Sequence, residues 1–156
     1  MKRRNMAALL GLLVLASAAV PDDMSGFLER WFSGAAYDTD AYCVGGRSVW
    51  FSYSYAESRR GIVSKAVIYE TRGDTVLPLL VFDENVIRNS RGILLSATPP
   101  ANHVFFGWEI EIDEASGGVS TAFYTNGGLS VTDGPSFVWD DCAHVYRKYE
   151  IDPNML

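Results

Sequence analysis

Glu109 and Glu111 stand two apart in a stretch, residues 103–113, that alternates strictly. Val104, Phe106, Trp108, Ile110 and Ile112 fall on one face, and His103, Phe105, Gly107, Glu109, Glu111 and Asp113 on the other. On a strand this sets the two glutamate backbones ~6.6 Å apart along one side. Carboxyl groups roughly 6.5–9.5 Å apart serve as general acid and base in inverting glycoside hydrolysis, and His103 shares that face. The same pattern arises whenever a strand buries one face and turns charge to water, so Glu109, Glu111 and His103 are candidates for a glycan-directed hydrolase and equally candidates for a solvated surface.

Other reactive groupings are sparse. The chain has no Gly-x-Ser-x-Gly elbow, His-Glu-x-x-His, P-loop or dinucleotide fingerprint. Asp38 and Asp40 open like a calcium loop, but Tyr42 stands where a third oxygen ligand is needed. Asp140 and Asp141 are adjacent, which in an extended chain points them apart and suits a turn. His144 has no neighbouring ligand set. No metal and no cofactor is therefore expected, and the leading reading is a non-enzymatic binding or interaction protein.

Charge and the first residues set the compartment. Lys2, Arg3 and Arg4 precede an apolar run over residues 6–16, and Ala16-Ser17-Ala18 offers the small residues of a cleavage site, so residues 1–18 read as a signal peptide. The run is shorter than the ~20 residues of a spanning helix, so no stable membrane span is expected after processing. A periplasmic or extracellular domain over residues 19–156 follows. The formal charge of the whole chain is −6. Removal of the three leading cations takes it to −9, with 10 Lys+Arg left of 13 against 19 Asp+Glu. Such a chain is repelled by nucleic acid and by anionic lipid, while a basic protein partner is electrostatically easier.

Two cysteines in an oxidising compartment permit one pairing, so a Cys43–Cys142 disulfide is expected. Closing a loop of about 100 residues would be worth ~4–5 kcal/mol through restriction of the unfolded chain.

The elements that must position these groups are mostly strands. Met24, Phe27, Leu28, Trp31 and Phe32 have the spacing of one short amphipathic helix, ended by Gly34, whose stripe needs a sheet or a partner to cover it. The stretch over residues 42–55 carries Cys43 and then alternates Val49, Phe51, Tyr53 and Tyr55 against Ser48, Trp50, Ser52 and Ser54, and it reads as a structural anchor with Val49, Phe51 and Tyr53 in the core. Residues 76–82 form a strand that Pro78 confines to an edge or a bulge. Ser116-Gly117-Gly118 and Asn126-Gly127-Gly128 are turns, and the tail over residues 140–149, where Cys142, Val145 and Tyr149 fit a helix turn and Ala143, Val145 and Arg147 a strand, is read as a last strand. The fold class is mainly β: an antiparallel meander of about eight strands forming a small barrel or sandwich, with one short N-terminal helix.

Aromatic residues, 13% of the chain, fall on both faces of the main strands. This suits either a filled core or a barrel carrying a small apolar ligand. Tyr42-Cys43, the hairpin at Ser116-Gly117-Gly118 and the late Cys142 resemble the periplasmic inhibitors of C-type lysozyme, which would imply a small exported β domain with a basic enzyme as target. The tryptophan-lysine-glycine segment of those inhibitors has no counterpart, since Tyr124 is followed by Thr125-Asn126-Gly127.

Overall fold

A computed structural model describes residues 24–56, 59–97 and 104–155. The expected signal peptide and His103 lie outside the described residues. Among the described residues one α-helix, α1 (Met24–Trp31), precedes eleven strands: β1 (Asp38–Val44), β2 (Arg47–Tyr55), β3 (Val63–Arg72), β4 (Thr75–Asp83), β5 (Val86–Asn89), β6 (Leu94–Ala97), β7 (Phe105–Ile112), β8 (Val119–Thr125), β9 (Ser130–Asp133), β10 (Phe137–Asp140) and β11 (Val145–Lys148). All pairings are antiparallel within one sheet, along β11-β10-β8-β7-β3-β4-β5-β6, with β1–β2 joined to β3 and β9 to β8. The sheet is nearly closed into a barrel. β11 lies against β4, β5 and β6, where Asn89 Nδ2 donates to Tyr146 O (3.3 Å) and Arg91 Nη2 to Ala143 O (2.9 Å).

Alternation on β3 builds two cores at once. Ala66 and Ile68 face the barrel interior with Leu80, Phe82, Ile87, Trp108, Phe123, Phe137 and Tyr146. Val67 and Tyr69 face outward, where Phe27, Leu28, Trp31 and Phe32 cover them together with Val76 and Val81. Eight residues of helix are unstable alone. Burial of four large apolar side chains, each worth ~1.5–3 kcal/mol, holds α1 on the sheet, so its stripe is used internally. The helix ends at Trp31, and Ser33 and Gly34, at φ +52° and +80°, turn the chain away from it.

Bulges explain where simple alternation fails. Pro78 sits where the β3–β4 register shifts between Ile68 and Tyr69. β5 pairs with β4 only from Leu80 onward, so the ladder to β5 does not need the missing N–H. The shift leaves Leu79 and Leu80 both in the barrel core while Val76 and Val81 face the helix. A second bulge at Phe105–Gly107 corrects the predicted faces of β7. Phe105 packs on the core beside Trp108, with ring centroids 5.3 Å apart, whereas Val104 is 79% exposed.

The stretch over residues 42–55 is also corrected, from one strand to part of a hairpin. Gly45 and Gly46, at φ +55° and +80°, turn the chain between β1 and β2, and Asp38 and Asp40 belong to β1.

The expected disulfide is overturned: Cys43 and Cys142 are both free and exposed. Val44 takes the inward position at the end of β1, so its neighbour Cys43 projects from the opposite face. Cys142 sits in the turn between β10 and β11. Packing joins the β1–β2 hairpin to β10 and the β7–β8 turn instead. The Arg47 guanidinium lies 4.3 Å from the centre of the Trp139 ring and is paired with Glu70, and Val44 Cγ1 occupies the space a Cβ on Gly117 would need.

Candidate functional site

The barrel interior is filled. Trp108 makes tilted and edge contacts with Phe82 (5.9 Å), Phe105 (5.3 Å) and Phe123 (6.0 Å), and Phe82 meets Phe137 edge-on at 6.3 Å. Space for a ligand lies at the side, where the sheet forks. Val63 pairs with both Tyr55 of β2 and Trp108 of β7, and beyond it β2 stays on β3 while β7 has no further pair with β3. The result is an open cleft of about 500 Å³ between the β1–β2 hairpin and β7, with the 60–63 segment at one end.

Each lining side chain has a local reason for its place. On β1, Asp40 and Tyr42 share the face of buried Val44. On β2, the face that carries Val49 and Phe51 into the core continues as half-buried Tyr53 and Tyr55, so the strand changes from apolar to hydroxylated as it leaves the core. Phe51 stacks on Tyr53 at 4.7 Å, and Tyr55 meets Tyr53 edge-on at 5.5 Å. Across the cleft stand Glu109 and Glu111 of β7 and Tyr124 of β8, the cross-strand partner of Gly107 at the β-bulge.

Tyrosine hydroxyls fix two of the carboxylates. Tyr53 Oη donates to Asp40 Oδ2 (2.9 Å) and Tyr124 Oη to Glu109 Oε2 (2.7 Å). Burial, and then the bond to Asp40, raise the Tyr53 pKa well above that of a free tyrosine. For Tyr124 the bond to Glu109 is the larger cause and burial the smaller. Tyr42 is also raised, by burial first and then by Asp40. All three hydroxyls therefore hold their protons more tightly than a free tyrosine, and those of Tyr53 and Tyr124 donate to the carboxylates. Among the described residues, neither the Glu111 carboxylate nor the Arg60 guanidinium has a hydrogen-bond or ion-pair partner.

Two sequence candidates, Glu109 and Glu111, thus come together on this cleft, both exposed. Asp140 and Asp141 do turn work: Asp140 accepts from Ala143 N (2.9 Å) and Arg147 Nε (2.6 Å), and Asp141 from Trp139 Nε1 (2.7 Å). His144 edges onto Trp139 at 4.9 Å. Among the described residues no group of three or more His, Cys, Asp or Glu is placed to hold a metal, and no helix is long and apolar enough to cross a membrane.

Sequence reasoning missed Asp40, Tyr53, Tyr55, Arg60 and Tyr124. The signal was present in the tyrosines of β2, which put hydroxyls where a closed core would take Phe or Leu.

Comparison of the chain with protein-family models, with curated proteins and with solved structures finds no match. The positions that resemble lysozyme inhibitors fall on an outer strand and two turns, and of them only Tyr42 lines the cleft.

Proposed function

We propose that the chain is an exported small β domain, periplasmic or extracellular, that binds a partner or ligand without turning it over, and that its contact site is the tyrosine and carboxylate cleft between β1–β2 and β7. The carrying observation is the contrast between a barrel filled with aromatic side chains and a side cleft lined by Tyr42, Tyr53, Tyr55 and Tyr124 with Asp40, Glu109 and Glu111. A filled interior disfavours a small apolar cargo. Tyrosine presents a rigid, amphipathic surface at low entropic cost, which suits a contact surface.

The second reading is a glycan-directed hydrolase, favoured by the placement of Glu109 and Glu111 on the cleft. Incubating the full chain with chito-oligosaccharide and following chain length by mass spectrometry separates the two. The binding reading expects unaltered oligosaccharide. Shortening that is abolished by Glu109→Gln or Glu111→Gln would establish the hydrolase. Export is tested by the mass of the chain recovered from envelope or medium, which should lack residues 1–18.

A further inference from the structure

We infer that the cleft takes a guanidinium or ammonium group from a basic polypeptide, seated against the tyrosine rings of β2 and facing the Glu111 carboxylate; the inference rests on the cleft being the binding site. Three observations carry it. First, the lining sets three carboxylates, Asp40, Glu109 and Glu111, against one cation, Arg60, in a chain whose overall formal charge is −6. A net negative concavity with tyrosine walls attracts a cation more than a neutral sugar.

Second, Asp40 and Glu109 are already held in place by Tyr53 and Tyr124 at 2.9 and 2.7 Å. A carboxylate has about four acceptor positions, so each keeps capacity for an incoming N–H. Third, Glu111 is exposed and unpartnered among the described residues, which leaves it available to pair with the incoming charge. The ladder Phe51–Tyr53–Tyr55 supplies aromatic surface beside these groups.

Calorimetric titration of the full chain with an oligo-arginine peptide tests the inference. Glu111→Gln should weaken binding roughly tenfold, the loss of one charge-assisted contact. Tyr53→Phe should retain most of the affinity, because the ring remains, and Tyr53→Leu should lose it. Glu150→Gln with Asp152→Asn, two exposed acids outside the cleft, serves as the control for diffuse attraction.

Equal losses in the control and in Glu111→Gln would overturn the inference. If cleft variants instead alter binding of chito-oligosaccharide while the peptide does not bind, the cationic ligand is refuted and the cleft stands as a site. If cleft variants alter neither, both readings fall. Thermal midpoints of Tyr53→Phe and Tyr53→Leu, compared with the parent chain, separate loss of contact from loss of fold.

Discussion

Tyr146 and Tyr53 carry the same side chain in two regions that use it differently. Tyr146 is buried in the barrel, and its hydroxyl donates to Gly117 O at 2.7 Å, so its hydrogen bond joins the C-terminal strand to the β7–β8 turn. Tyr53 is half-buried at the fork of the sheet, and its hydroxyl is given to a carboxylate that lines an open cleft. Inside, polar groups are satisfied by backbone and serve closure. At the fork, they are arranged around charge that remains in contact with water. The difference teaches that an aromatic-rich β sequence can hold a solid core and the wall of an open polar cleft on one strand, with a few residues deciding where one ends.

Substitutions that truncate the interior should break this contrast most strongly. Trp108→Ala should cost about 3–5 kcal/mol, seen as a fall in the denaturant midpoint, because the ring is fully buried among Phe82, Phe105 and Phe123. Glu111→Gln, exposed on the same strand, should leave stability within ~0.5 kcal/mol.

Alkaline titration is the next largest effect. Burial pushes the Tyr146 pKa up to about 12. Between the unfolded value near 10 and that folded value, the unfolded chain has released its proton and the folded chain keeps it. Stability from this group is therefore complete below pH ~10 and falls as pH rises toward ~12, by roughly 3 kcal/mol. Denaturant midpoints measured across that window should decline, and Tyr146→Phe should flatten part of the slope. The remainder belongs to Tyr42, Tyr53, Tyr69 and Tyr124, which are raised in the same direction.

A smaller loss is expected where the end of β1 packs on the β7–β8 turn. Gly117 has φ +75°, and a Cβ there would lie 2.7 Å from Val44 Cγ1. Gly117→Ala should destabilise by about 1–3 kcal/mol in equilibrium unfolding. The smallest effect is Tyr124→Phe, which removes an exposed hydrogen bond to Glu109 and should change the midpoint by ~0.5 kcal/mol or less.

Much of the fold was legible because local signals agreed. The stripe from Phe27 to Phe32, the turn glycines and the alternating strands point to an antiparallel barrel-like β fold with one helix, and that is the architecture found. The bulge at Pro78 was readable from a missing donor. The bulge at Phe105–Gly107 was not, because Gly107 has no side chain to mark it. What crowds Gly107 is distant in sequence: a Cβ there would lie 2.5 Å from Ile62 Cγ2 and 2.9 Å from Val63 O.

The cleft was half legible for a similar reason. Periodicity gives the shared face of Glu109 and Glu111. The fork that brings β2 opposite them depends on Val63 pairing to two strands, which no local pattern encodes. The disulfide expectation failed because cysteine number constrains pairing only when the side chains face each other, and the inward Val44 turns Cys43 away from the core.

Amide mapping of the full chain by nuclear magnetic resonance, during titration with an oligo-arginine peptide, tests the division between solid core and contact cleft most directly. Perturbations should gather on Asp40, Tyr42, Tyr53, Tyr55, Glu109, Glu111 and Tyr124, and leave Phe82, Phe137 and the helix Met24–Trp31 unchanged. Perturbations centred on the barrel interior or the helix, with the cleft silent, would contradict the account.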